Sequence, residues 1–342
     1  MKHRAKIVCA SIFLYTCIFA ENNIQDLIDS GEIKSCMLSN GKLNFANKVL
    51  QSLKGIENIK NVPNAGSVKL IDLSYNKISD LKGYSFKHFP KLTQLWLNNN
   101  ELEDISELSD IAGLENLQVL DLRSNKIRNI SEQAFKNLQK LETLFLNNNH
   151  LVSLASGSLD SLVNVREIHL SHNRLHTFDL EQFSKLSMLY ILDVGFNDIK
   201  RIQPAKNVIL NNLEMLFLNN NNLNVLPSYA FFACPRLQAL YLQDNAINEL
   251  QDNSLAGLGN MRLLYLYNNA LTQLTTNLFK DLKNLHILYL NNNSIRQFEK
   301  DWSRGLDSLH ILDLSHNSLS GTDQKSTEMK HLKKIKHVYL CN

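Results

Sequence analysis

The amino-acid sequence predicts an α/β solenoid, with one curved parallel sheet of about 11–12 strands on its concave side. Short helical, 3-10 or irregular segments are expected on the convex side. An asparagine recurs every 24 residues along most of the chain, with one interval of 25. Before each asparagine, apolar residues alternate as in a short strand that buries one face. More apolar residues follow it, and a unit of this size cannot bury both sets unless it stacks on its neighbours.

The first 20 residues have the features of a secretory signal peptide. A basic start, MKHRAK, precedes an apolar run and the small residue Ala20. The run is shorter than the ~18–20 apolar residues that span a bilayer, which favours cleavage over an uncleaved anchor. We therefore expect a secreted, extracellular protein without a membrane span.

Residues 21–66 are predicted to form an N-terminal cap. Asn40 and Gly41 stand between two alternating runs, which is a hairpin signal. A capping hairpin would cover the open core of the first repeat, and the rest of this segment is interpreted as an atypical first repeat.

Eleven repeats occupy residues 67–321, and residues 322–342 are interpreted as a divergent, partial last repeat. With the asparagine at position 9 of each repeat, positions 1, 4 and 6 are predicted to face the core and positions 3 and 5 to face outward. The asparagines are Asn76, Asn100, Asn125, Asn149, Asn173, Asn197, Asn221, Asn245, Asn269, Asn293 and Asn317.

The pattern LxxLxLxxNxL over these repeats resembles the typical 24-residue class of extracellular leucine-rich repeats. It is similar to Toll-type receptor ectodomains and to insect secreted leucine-rich immune proteins. The resemblance implies that each position-9 asparagine is buried and bonds to the backbone of its own and adjacent turns. It also implies a secreted recognition protein that binds a protein ligand through its concave face, in extracellular innate immunity. Resemblance to the insect proteins further implies disulfide-linked dimers.

Two other functions fit the same repeats. One is a structural, adhesive or developmental protein of the extracellular matrix, and the other is an inhibitor of a secreted enzyme. Infection-induced expression would favour the immune role, and incorporation into insoluble matrix would favour the structural one.

An aromatic row is the main candidate for a binding surface. Position 5 carries an aromatic ring in four consecutive repeats, beside mostly apolar residues at position 3. Each ring can bury ~150–250 Å², so four would approach the ~800 Å² that one partner contributes to an ordinary interface. The predicted concave contact residues are Trp96, Phe145, Met215, Phe217, Tyr241, Leu263, Tyr265, Tyr267, Ile287 and Tyr289. Acidic residues are expected to give the N-terminal half a different character: Asp72, Asp121, Glu142, Glu167 and Asp193.

Catalysis and nucleic-acid binding are not expected. Without Lys2, Arg4 and Lys6 of the signal segment, 36 − 3 = 33 basic residues balance 33 acidic ones. A neutral chain argues against nucleic-acid partners. Ser171, His169 and Asp193 can be written as a triad, but no oxyanion donors or pocket are implied. No zinc-protease, paired-cysteine or phosphate-loop motif occurs, so no metal or other cofactor is predicted.

The cysteines suggest a bridge between chains. Eleven strand steps of ~4.8 Å would place Cys36 and Cys341 roughly 50 Å apart, whereas a disulfide needs Cα atoms ~4.4–6.8 Å apart. Cys341 is therefore predicted to bridge two chains, and Cys36 is either buried or a second bridge. Cys234 occupies a core position. Asn129 and Asn292 begin N-glycosylation sequons.

Overall fold

The computed structural model describes residues 22–340, apart from 39, 62–63, 107, 109–110, 207 and 320–331. The predicted signal segment and Cys341 lie outside the described residues.

Within the described residues, fourteen short strands form one continuous sheet, and all adjacent pairs are parallel except the first. Each repeat contributes one strand in the same register, so that Met215, Leu216 and Phe217 lie beside Ala239, Leu240 and Tyr241. The strands of this sheet are β1 (Met37–Leu38), β2 (Lys42–Asn44), β3 (Leu70–Asp72), β4 (Gln94–Trp96), β5 (Val119–Asp121), β6 (Thr143–Phe145), β7 (Glu167–His169), β9 (Ile191–Asp193), β11 (Met215–Phe217), β13 (Ala239–Tyr241), β15 (Leu263–Tyr265), β17 (Ile287–Tyr289), β19 (Ile311–Asp313) and β20 (His337–Tyr339). The repeats thus form the predicted parallel solenoid, and the strands on either side of them extend the sheet.

The N-terminal segment closes one end of the core. Helices α1 (Ile24–Asp29) and α2 (Ile33–Cys36) precede the antiparallel hairpin of β1 and β2. The first helix begins with a capping box, in which Asn23 and Asp26 each accept the other's backbone N–H. In the hairpin turn Gly41 has φ +76°, a conformation that favours glycine.

The other side of the solenoid contains more β-structure than the sequence predicts. Among the described residues, six further short strands pair in parallel as three separate two-stranded sheets, each formed by strands of two consecutive repeats. These strands are β8 (Thr177–Asp179), β10 (Arg201–Gln203), β12 (Val225–Leu226), β14 (Glu249–Leu250), β16 (Gln273–Leu274) and β18 (Gln297–Phe298). The 3-10 segments with bounds in the described chain include Ile56–Asn61, Ala65–Ser67 and Leu180–Phe183. A buried apolar residue such as Leu226 or Leu274 anchors each pair to the core.

The position-9 asparagines form the ladder that the resemblance implies. The amide nitrogen of Asn221 donates to the carbonyl oxygens of Val194 and Leu218, both at 3.1 Å. Its amide oxygen accepts the backbone N–H of Ile199 at 3.0 Å. Each asparagine thus joins its own turn to the preceding one and satisfies buried backbone groups that have no strand partner. Eight are buried, but Asn245, Asn269 and Asn293 are half-buried.

The residue before each ladder asparagine adopts a left-handed backbone conformation, which the sequence analysis does not anticipate. In all eleven repeats its φ lies between +51° and +58°. Asparagine and aspartate tolerate this conformation best among residues with a side chain, and six of the eleven residues are Asn or Asp. The column comprises Tyr75, Asn99, Ser124, Asn148, His172, Phe196, Asn220, Asp244, Asn268, Asn292 and His316.

Candidate functional site

The concave sheet presents two columns of side chains outward. Within β11, Leu216 is fully buried, whereas Met215 and Phe217 on either side of it are half-buried. The same alternation recurs in most strands because successive side chains of a strand point to opposite faces. All ten predicted contact residues are half-buried residues of this sheet or of the turn that follows it.

The aromatic row is a continuous stack of four rings. Ring centroids are 4.3 Å apart between Phe217 and Tyr241, and 4.8 Å apart between Tyr241 and Tyr265, with 8° and 7° between the planes. The ring of Tyr289 follows at 5.2 Å, tilted by 33°. Tyr267 meets Tyr265 edge to face at 6.3 Å. The parallel register of the strands therefore brings these five predicted residues into one cluster.

Stacking changes what the row offers to a partner. The inner ring faces cover one another, so a partner meets ring edges and tyrosine hydroxyls rather than open faces. The area expected from the sequence, ~150–250 Å² for each ring, is therefore too large. Sequence spacing places rings on adjacent strands but does not show that each ring hides its neighbour. The row is a ridge of edges and hydroxyls, flanked by Met215, Leu263 and Ile287.

Trp96 and Phe145 lie apart from this row, and the ring of each already contacts a cationic side chain of the protein. The Lys42 ammonium lies 4.8 Å from the centroid of the Trp96 ring. The Phe145 ring is placed between the Arg123 guanidinium, at 4.7 Å, and the stacked ring of His169, at 4.8 Å. Cations over aromatic faces are attracted by the ring quadrupole. Lys42 and Arg123 thus belong to the concave surface, although the sequence analysis does not identify them.

The predicted acidic zone is partly neutralised within the protein. Asp72 and Asp121 are only 5% and 3% exposed. Asp72 accepts the Lys42 ammonium at 2.8 Å, and Asp121 accepts the Arg123 guanidinium at 2.9 Å. The expectation that Asp72 and Asp121 face outward and add acidic character to this half is therefore wrong, because each carboxylate is buried against an internal cation. Glu142, Glu167 and Asp193 remain as half-buried acids on this half of the sheet.

The carboxylates of the four aspartates on the concave sheet share one orientation. In each, one carboxylate oxygen accepts the backbone N–H of the residue two positions later, at 2.9–3.1 Å. This local turn is typical of aspartate and holds the carboxylate against the end of its strand. The four aspartates are Asp72, Asp121, Asp193 and Asp313.

His169 lies between two carboxylates. Its Nε2 atom is 3.4 Å from Glu167, and its Nδ1 atom is 4.0 Å from Asp193. Burial lowers the pKa of His169, but the hydrogen bonds and negative charges of Asp193 and Glu167 outweigh burial and raise this pKa above its ordinary value. Ser171 is 8% exposed, and no hydrogen bond joins its hydroxyl to His169 within the described chain. The hypothetical triad is therefore not assembled.

The remaining titratable and reactive groups give no metal or thiol site in the described part of the chain. No group of three or more His, Cys, Asp or Glu side chains there is placed to hold a metal ion. Cys36 and Cys234 are 1% and 0% exposed. Burial raises the pKa of the Cys36 thiol, and it raises the pKa of Cys234 to about 12. Both thiols are therefore protonated and shielded, and of the two alternatives for Cys36 the structure shows the buried one.

The two sequon asparagines are both exposed. Asn129 follows the asparagine turn of its repeat, away from the concave strands. Asn292 lies in the left-handed column, with φ +52°, beside the half-buried Asn293. Neither position is sterically closed to a glycan.

The repeat pattern and the open concave sheet define a solenoid repeat protein, and comparison with known sequences identifies its family. A sequence profile described as Leucine rich repeat matches residues 115–175, 139–199, 163–223, 211–271 and 260–319. A second, described as Leucine Rich repeats (2 copies), matches residues 67–110. The chain belongs to the leucine-rich repeat family.

Similar proteins include Toll-like receptors and lumican. Bos taurus Toll-like receptor 4 is 49% identical over 154 residues, which cover 45% of this chain and 18% of that protein. Gallus gallus Lumican is 32% identical over 83 residues, 24% of this chain and 23% of that protein. The chain thus spans less than a quarter of the length of the curated relatives it matches.

Solved structures share the fold. Toll in the Toll–Spatzle complex of Drosophila has a TM-score of 0.76 at 21% identity, over 86% of this chain and 40% of that one. The leucine-rich repeat domain of APL1B has a TM-score of 0.67 at 20% identity, over 93% and 85% of the two chains. At these identities the likeness shows the fold. Within the described residues, no helix has the length and apolar character to cross a membrane.

Proposed function

We propose that this chain is a secreted recognition protein that binds another protein through the concave face of its leucine-rich repeats. The stacked row from Phe217 to Tyr289 carries the proposal. Four rings lie in contact on an open sheet, and three of them bring a hydroxyl that can donate or accept a hydrogen bond. Tyrosine is enriched at interface hot spots because its ring packs while its hydroxyl bonds.

Two similar structures support protein binding as the use of such a face. Toll was solved in a complex with Spatzle, and the leucine-rich repeat region of FLRT2 was solved in a complex with Latrophilin 3 and Unc5D. The finer role that we propose is extracellular innate immunity, for which the similarity to Toll and Toll-like receptor 4 is the support. We propose no catalytic activity, since the arrangement around His169 lacks a nucleophile bonded to the histidine.

Disulfide-linked dimerisation through Cys341 and glycosylation at Asn129 and Asn292 complete the proposal. The burial of Cys36 supports Cys341 as the bridging residue, since a buried thiol cannot reach another chain without opening the cap. The exposure of both sequon asparagines supports modification by a glycan.

The test is capture of a partner from extracellular fluid by matched variants. Replacing Tyr241 and Tyr265 by alanine together removes the centre of the row. The matched control replaces Tyr229 and Phe232, two rings outside the concave sheet that are 50% and 59% exposed. We expect a protein that the wild type and the control capture to be lost from the Tyr241/Tyr265 variant, while secretion of all three is equal. Equal capture by all three would contradict the concave site.

A further inference from the structure

The concave sheet repeats one arrangement four times: an aspartate at position 5 is followed by an aromatic ring at position 5 of the next strand. The register places each pair on adjacent strands. The pairs are Asp72–Trp96, Asp121–Phe145, Asp193–Phe217 and Asp313–Tyr339. In each pair the backbone N–H two residues on donates to one carboxylate oxygen, and the second oxygen lies outside this local turn.

In the two N-terminal pairs, a lysine or arginine of the protein itself contacts the second carboxylate oxygen. The ammonium of Lys42 contacts the second oxygen of Asp72 at 2.8 Å and lies 4.8 Å from the Trp96 ring centroid. Arg123 contacts the second oxygen of Asp121 and covers the Phe145 ring at 4.7 Å. The same combination of carboxylate and ring therefore receives a cation twice within this molecule.

The two C-terminal pairs have no such cation among the described residues. The second oxygen of Asp193 faces the His169 ring nitrogen at 4.0 Å and forms no ion pair with a lysine or arginine of the described chain. Asp313 bonds to the backbone and hydroxyl of Ser315 and takes part in no ion pair within the described chain. No described lysine or arginine covers the ring of Phe217 or of Tyr339. The His337 ring lies 6.4 Å from the Tyr339 ring, and Tyr339 is 49% exposed.

We propose that the pairs Asp193–Phe217 and Asp313–Tyr339 bind lysine or arginine side chains of the protein partner. This inference rests on the proposed function and names the chemistry of the segment that the concave face recognises. Each basic group would bond to the second aspartate oxygen and lie against the adjacent ring, as Lys42 and Arg123 do. The tyrosine hydroxyls between the two pairs would contact the backbone that joins the two basic residues.

A basic side chain fits these places better than a metal ion. A calcium or magnesium ion takes about six or more oxygen ligands, whereas each pair offers one carboxylate oxygen that no described lysine or arginine contacts. A guanidinium or ammonium needs only that one oxygen and gains further attraction from a ring.

The sheet also sets the distance between the two basic residues. Asp193 and Asp313 lie on strands separated by five steps, which at ~4.8 Å for each step is about 24 Å. An extended chain rises about 3.4 Å for each residue. The partner segment therefore carries its two basic residues about seven positions apart.

The probe for the test is a labelled extended peptide with two arginines seven positions apart. Its matched control carries citrulline, the neutral isostere of arginine, at both positions. Asp193→Asn and Asp313→Asn remove a charge but keep an oxygen for the local turn. Asp252→Asn makes the same change of charge at an exposed residue outside the concave sheet. Binding is measured by fluorescence anisotropy.

We expect the arginine peptide to bind the wild type and the Asp252 variant at least tenfold more tightly than the citrulline peptide. Asp193→Asn and Asp313→Asn should each lower that preference by about five- to tenfold. This factor corresponds to the loss of one interaction between a cation and a carboxylate beside an aromatic ring. Failure of the arginine peptide to bind, an equal affinity for both peptides, or an equal loss in Asp252→Asn would overturn the inference. If the Tyr241/Tyr265 variant loses its partner while Asp193→Asn and Asp313→Asn retain it fully, the proposed function stands and this inference fails.

Discussion

The rings of Phe217 and Tyr241 lie 4.3 Å apart, with only 8° between their planes. Parallel strands in exact register produce this stack, because residues at the same repeat position stand side by side. Stacking makes the aromatic row a rigid ridge and leaves hydroxyls and ring edges as its outward groups. The row therefore offers the proposed partner hydrogen-bonding groups as well as apolar contact.

Each ladder asparagine should contribute to the free energy of unfolding in proportion to how deeply it is buried. Asn221→Ala removes hydrogen bonds to Val194, Leu218 and Ile199. The buried Ile199 N–H then loses its acceptor, whereas the Val194 and Leu218 carbonyls each keep one ladder bond, from Asn197 and Asn245. We expect a loss of about 3 kcal/mol in the free energy of unfolding, measured by urea denaturation. Asn245→Ala should cost about half as much, because its turn is half-buried and water can replace the amide. Equal losses in the two variants would show that burial does not set the strength of the ladder.

The run of four asparagines at 219–222 contains residues with different roles. Asn220 has φ +52°, whereas Asn222 is exposed and has no such backbone constraint. Asn220→Val should lower the free energy of unfolding by about 1–2 kcal/mol, since a β-branched residue is disfavoured in this conformation. Asn222→Val is the matched control and should change it by less than about 0.5 kcal/mol. Similar urea midpoints for the two variants would contradict the assignment of backbone strain to Asn220.

His169 should make stability depend on pH. Because Asp193 and Glu167 raise its pKa, the folded protein holds this proton more tightly than the unfolded chain does. The protonated ring therefore stabilises the fold below the ordinary histidine pKa of about 6.5, and the contribution is lost as pH rises through the folded value.

We expect His169→Gln to lower the urea midpoint more at pH 5.5 than at pH 8. His310→Gln is the control, because its ring nitrogen contacts the Ser308 carbonyl rather than a carboxylate. The same loss at both pH values in His169→Gln would refute the role of the two acids.

The cysteines should behave differently on non-reducing gels. Cys341→Ser is expected to abolish a disulfide-linked dimer of the secreted protein, whereas Cys36→Ser should leave it intact because that thiol is 1% exposed. Reduction of the wild type should give the same band as Cys341→Ser. A dimer that persists in Cys341→Ser, or a wild type that is monomeric in both lanes, would exclude this bridge.

The sequence was sufficient to predict the features that repeat along the chain. A fixed interval between asparagines predicts the parallel sheet and the outward columns, since each follows from stacking equal units, and the family resemblance implies the asparagine ladder. The pairing of Lys42 with Asp72 and of Arg123 with Asp121 was not predictable, because it depends on how two long side chains fold across the sheet. Stacking of the rings follows from the same register, but the ring area that stacking covers was not subtracted from the surface expected for a partner. The left-handed column could have been predicted from the sequence, because an asparagine or aspartate precedes many of the ladder asparagines, as Asn148 and Asn268 do.

Site-specific photo-crosslinking tests the central claim most directly. A photoreactive phenylalanine derivative at Tyr241 would sit in the middle of the aromatic row, and the same derivative at Phe232 would sit on an exposed ring outside the concave sheet. Irradiation in extracellular fluid should link a partner protein to the Tyr241 position and not to the Phe232 position. Crosslinking of the same partner from Phe232 alone, or equally from both positions, would contradict recognition through the concave face.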